Sequence, residues 1–105
     1  TTVADLTTPM RPSQALNQHR EAIRLAVGRH RVSNPRVFGS VLHGTDTDES
    51  DLDLLVDPQP GTTLFDLGGL TFELQELKGV RVDVRTPKDL SIKFRQQVLD
   101  EAQPI

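Results

Sequence analysis

The stretch that most constrains this chain is Asp51-Leu52-Asp53-Leu54-Leu55-Val56, halted by Asp57-Pro58. Leu52 to Val56 is apolar apart from one carboxylate and is bounded by turn-forming residues, so it reads as a strand. Side chains two apart on a strand share a face, which sets Asp51 and Asp53 on the same side. Two carboxylates held that close repel each other unless a cation lies between them. Hard oxygen donors on a rigid element suit Mg²⁺, which keeps several waters and completes its shell with substrate phosphates. Upstream, Gly39-Ser40 offers a turn whose backbone N–H groups and hydroxyl suit those same phosphates. The two features together indicate a metal-dependent nucleotide site.

A second strand is clearer still. In Val80-Arg81-Val82-Asp83-Val84-Arg85 the valines face one way, while Arg81, Asp83 and Arg85 face the other. If this strand lies beside the first, Asp83 joins Asp51 and Asp53. Three carboxylates can hold two metal ions about 3.5–4 Å apart, the arrangement that stabilises attacking and leaving oxygens in phosphoryl transfer. Asp83 could also help deprotonate an attacking hydroxyl. The plain alternative is a surface acid bridged by its flanking arginines.

Helices fill the remainder. Ser13 is a candidate N-cap for a helix to about Arg31, with Leu16, Ile23, Ala26 and Val27 on one stripe. His19 and His30 lie near that stripe and read as ordinary helix histidines. Asn34-Pro35 breaks the chain before a short strand, Arg36-Val37-Phe38, and Ser40 starts a short helical turn ahead of an acidic loop, Thr45 to Ser50. A second helix is expected from Thr62 to Lys78, burying Leu64, Leu67, Leu70, Leu74 and Leu77, with Gly79 as C-cap. Gly68-Gly69 weakens it, because each glycine costs about 1 kcal/mol against alanine inside a helix. Lys88 to Ala102 fits one or two closing helices anchored by Ile92, Val98 and Leu99. Helices alternating with short strands make this an α/β or α+β domain. Residues 1–12 read as a loose arm and 13–105 as a single domain.

Composition removes several classes of function. With 105 residues there is room for one modest core. The absence of cysteine excludes disulfides, thiolate nucleophiles and sulfur-ligated zinc, and fits a cytoplasmic setting. No apolar run approaches the roughly 20 residues of a membrane span. A net charge of −3, no Trp or Tyr and only four Phe argue against a general nucleic-acid binder.

Two other motifs fail on inspection. Gly39 to Gly44 begins like a phosphate-binding P-loop, but Thr45 and Asp46 stand where Lys and Ser/Thr are required. Asp46, Asp48, Ser50 and Asp57 imitate a calcium-binding EF-hand loop. The sixth position, which needs glycine, is Asp51, and the twelfth, which needs Glu, is Asp57.

Gly39-Ser40, ten residues, then Asp51-Leu52-Asp53, with Asp83 on a later strand, resembles the DNA polymerase beta-type nucleotidyltransferase superfamily and its short form, the minimal nucleotidyltransferase family. The resemblance spans about Ser13 to Ala102. It implies a small mixed sheet packed on helices, the polymerase beta palm-like nucleotidyltransferase fold. It implies that Gly39 and Ser40 hold the triphosphate of ATP, that Asp51 and Asp53 bind Mg²⁺ (two ions), and that Asp83 completes the site. Many relatives carry a small residue and arginine before the second glycine, where this chain has Leu42 and His43. Such proteins are often encoded beside a small helical HEPN-type partner, which can be an RNase toxin. The nucleotidyltransferase is then the antitoxin, transferring AMP onto a tyrosine of the partner. Having no tyrosine, this chain cannot label itself there. Arg36, Arg81, Arg85 and Lys88 are available to neutralise phosphates. Two rival readings remain: a binding module that neutralises its partner by covering it, and the nucleotide-binding subunit of a two-protein transferase acting on a small molecule.

Overall fold

The computed structural model describes residues 11–77 and 80–105. Helix α1 (Pro12–Gly28) leads into strand β1 (Val32–Phe38), the short helix α2 (Ser40–His43) and strand β2 (Leu52–Pro58). Helix α3 (Leu64–Gln75), strand β3 (Val82–Arg85), a 3-10 turn (Pro87–Asp89), helix α4 (Ile92–Glu101) and strand β4 (Gln103–Pro104) complete the chain. The strands form one four-stranded sheet in the order β3-β2-β1-β4. β1 runs antiparallel to both β2 and β4, whereas β2 and β3 are parallel. This is the small mixed sheet packed on helices that the resemblance implies.

The core lies between one face of this sheet and helices α1 and α3. Leu52, Leu54 and Val56 of β2 are fully buried against Leu16, Ile23, Ala26, Val27, Leu70 and Leu74, with Val37 and Val82 beside them. Burying each such side chain stabilises the fold by about 1.5–3 kcal/mol. The helix stripe Leu16, Ile23, Ala26 and Val27 is buried as its spacing predicts. By the alternation of β2, Asp53, Leu55 and Asp57 belong to the opposite face.

Several expectations are corrected. Pro12, assigned to the loose arm, occupies the first turn of α1 and is buried, and the backbone N–H of Arg11 donates to Gln14 Oε1 at 3.0 Å. Ser13 is therefore inside the helix; its N–H donates to Asp46 Oδ2 at 2.9 Å. Helix α1 carries a kink at His19 (φ −112°, ψ 16°). Asn34-Pro35 does not end an element. It forms an irregularity within β1, with Asn34 at φ 55°, and the strand resumes at Arg36. Such a bulge adds a residue to one strand without ending the pairing.

Helix α3 is shorter than its sequence pattern. Thr63 caps it, its hydroxyl accepting from Asp66 N–H while Asp66 Oδ2 accepts from Thr63 N–H at 2.8 Å. Leu70 and Leu74 are buried and Leu67 and Leu77 pack at the margin, but Leu64 is 84% exposed. The five leucines share one helical stripe, and Leu64, the first residue of the helix, lies at its edge. The expected C-cap, Gly79, lies outside the described residues. Ile92, expected to anchor α4, is 84% exposed. Strand β4 has no sequence signal, because two residues carry no periodicity; main-chain bonds hold it, including Ile105 N–H to Pro35 C=O at 3.1 Å.

Candidate active site

The parallel pairing of β2 with β3 sets Asp53 and Asp83 in register as direct neighbours. Asp51 lies one residue ahead of β2, exposed, and its charge still acts on Asp53. The antiparallel pairing with β1 puts Phe38 opposite Asp53 and so delivers Gly39 to its side. All five predicted site residues thus gather at one end of the β1-β2-β3 unit, although they come from three segments of chain.

Gly39 is required twice over. Its φ of +75° lies in the left-handed region, and a Cβ there would stand 2.3 Å from Asp53 Oδ2. The backbone and the carboxylate are in close approach, so the Gly-Ser turn and the Asp-x-Asp strand form one unit. Ser40 follows as the first residue of α2, and Gly44 closes that turn at φ 72°. His43 turns away from this centre, with Nε2 3.3 Å from Glu101 Oε2.

Asp53 is the electrostatic focus. Burial first, then the negative charges of Asp83 and Asp51, push its pKa from 3.8 up to about 6, opposed in part by Arg85. Asp51 and Asp83 are each turned to an arginine instead. Arg81 Nε lies 3.0 Å from Asp51 Oδ1, and Arg85 Nε lies 3.1 Å from Asp83 Oδ2. The surface ion pair weighed as the plain alternative for Asp83 is therefore present, beside the acid cluster rather than in place of it. Among the described residues no three carboxylate or imidazole side chains already converge as a metal cage. Mg²⁺ does not need one, since it is bound by one or two carboxylates together with substrate phosphates. An under-neutralised, half-buried carboxylate between two others fits a hard cation by the chemistry of its donors.

Of the cations considered for phosphate contact, Arg36 is already engaged, with Asp57 Oδ1 at 2.5 Å. Asp46 was not singled out as a structural residue by the sequence. It is 8% exposed, and hydrogen bonds from Ser13 oppose the effect of burial to hold its carboxyl below the usual range. This contact ties the acidic loop before β2 to the first turn of α1. A lone acid in an acidic loop gives no sign of that contact.

Comparison with known proteins agrees with this fold. Residues 16–105 match the family described as nucleotidyltransferase domain. This chain belongs to that family. A protein of Methanocaldococcus jannaschii, provisionally named a protein adenylyltransferase, is 32% identical over 87 residues, covering 83% of this chain and 94% of that protein. A solved structure provisionally described as a minimal nucleotidyltransferase superposes with a TM-score of 0.77 at 43% identity, covering 89% of this chain and 95% of its own. Together these make the chain a nucleotidyltransferase of the minimal type.

Proposed function

We propose that this nucleotidyltransferase is Mg²⁺-dependent and transfers AMP from ATP to a hydroxyl of a partner protein, as the antitoxin of a pair with a small helical HEPN-type toxin. The observation that carries the site assignment is Asp53, half-buried, in register with Asp83 and in close approach to Gly39. The adenylyltransferase name of the archaeal relative supports AMP and a protein acceptor.

In this reading Gly39 and Ser40 orient the triphosphate, and Asp51, Asp53 and Asp83 would hold the metal. Bound Mg²⁺ supplies charge stabilisation to the attacking and leaving oxygens. The acceptor hydroxyl attacks the α-phosphorus in line, its proton passes to the carboxylate cluster, and the bond to the β-phosphate oxygen breaks to release pyrophosphate. In this reading the acceptor arrives in trans, as a hydroxyl of the partner protein. Phe65 and Phe72, 91% and 73% exposed on α3, leave apolar surface for partner contact.

The test is labelling. The protein is incubated with Mg²⁺, lysate from its own source and α-³²P-labelled ATP, CTP, GTP or UTP in turn, beside Asp53→Asn. One protein band, labelled from ATP by wild type and about 10²–10³-fold less by the variant, is expected. Label in a metabolite alone contradicts the protein acceptor, and equal labelling by Asp53→Asn contradicts the site.

A further inference from the structure

Resting on the metal-site reading, we infer that Arg85 is a built-in counter-cation of the site, holding Asp83 until a divalent metal displaces it. Three observations converge. First, Arg85 and Asp83 stand two apart on the same strand and therefore on the same face, with Nε and Oδ2 3.1 Å apart. Second, the charge of Arg85 reaches beyond Asp83, since it also acts on Asp53. A cation at this place faces the same two carboxylates that would ligate a metal. Third, the contact with Asp83 is the one polar contact that the Arg85 side chain makes among the described residues, and the pair is open to solvent, at 47% and 38% side-chain exposure.

Arg81 makes the useful contrast. It holds Asp51 at 3.0 Å and also donates from Nη2 to the backbone carbonyl of Glu49 at 2.8 Å. That second bond fixes Arg81 to the loop ahead of β2. Among the described residues Arg85 has no such tether, and an exposed ion pair is easily exchanged. The guanidinium and the metal thus compete for Asp83, and the freed arginine keeps a positive charge at the rim of the site, where phosphates arrive. The cost of such a device is weaker metal binding in the absence of nucleotide. Its benefit is that three neighbouring carboxylates are tolerated while no metal is bound.

The competition has a signature that a structural ion pair lacks. Mn²⁺ alone, without nucleotide, is titrated into wild type, Arg85→Gln, Arg36→Gln and Asp53→Asn, with bound metal read by electron paramagnetic resonance. Circular dichroism confirms that each variant is folded. Arg85→Gln is expected to bind Mn²⁺ roughly three- to tenfold more tightly than wild type, because a repelling charge within a few ångströms has gone. Arg36→Gln, which removes the same charge beside Asp57, is expected to leave the affinity unchanged. Unchanged or weaker binding by Arg85→Gln overturns the inference, as does equal tightening by Arg36→Gln. Mn²⁺ binding that Asp53→Asn leaves intact refutes the metal-site reading itself, so the two failures are told apart.

Discussion

Asp53 and Asp57 stand on the same strand, β2, and meet opposite surroundings. Asp57 is neutralised where it stands, by Arg36 at 2.5 Å and by the Asn34 side-chain amide at 2.9 Å. Asp53 is half-buried, with two further carboxylates acting on it and no direct cationic partner among the described residues. A carboxylate at the far end of the strand is satisfied by the protein, whereas the one beside Gly39 is left for something the protein does not itself contain. Asp57 is held by its own counter-ion, whereas Asp53 is held against repulsion by the packing around it.

The most severe way to break this comparison is Gly39→Ala. The added methyl group meets Asp53 Oδ2 at 2.3 Å on a backbone with φ +75°. We expect a loss of about 2–3 kcal/mol in denaturant unfolding and at least a tenfold fall in labelling by the protein that remains folded. Wild-type labelling would separate the turn from the catalytic acids. A smaller effect is expected from Asp57→Ala, which strands Arg36, only 12% exposed, without its partner. Stability should fall by about 1–2 kcal/mol while labelling per folded molecule stays the same. A loss of labelling without a loss of stability would place Asp57 in the site instead.

Much of this arrangement was legible in residue order. The alternation in Val80 to Arg85 and the interrupted apolar run at Leu52 gave the strands, and the Gly-Ser and Asp-x-Asp spacing gave the site, because a motif survives as a local pattern. The interior of β1 was hidden because a bulge at Asn34-Pro35 resembles a chain break. The exposure of Leu64 and Ile92 was hidden because leucine and isoleucine are read as buried by default, although roughly 55–60% of a folded protein's accessible surface is apolar. The ion pairs of Arg81 and Arg85 were the least accessible. Both arginines were visible beside Asp83, but only the parallel register and the loop carbonyl of Glu49 separate a tethered arginine from a free one.

The central claim, that Asp53 is poised for a cation, is tested most directly by unfolding wild type and Asp53→Asn in denaturant from pH 4 to pH 7.5, with and without Mg²⁺. The folded state raises the pKa of Asp53 from 3.8 to about 6, so it holds that proton more tightly than the unfolded chain does. Its stabilising effect is complete below pH 4 and is lost as pH rises through about 6. Without metal at pH 7.5, Asp53→Asn should therefore be more stable than wild type by about 1–2 kcal/mol, allowing for partial solvent screening. Added Mg²⁺ should stabilise wild type and not the variant. A variant less stable than wild type at pH 7.5, with equal response of both proteins to Mg²⁺, would contradict the claim.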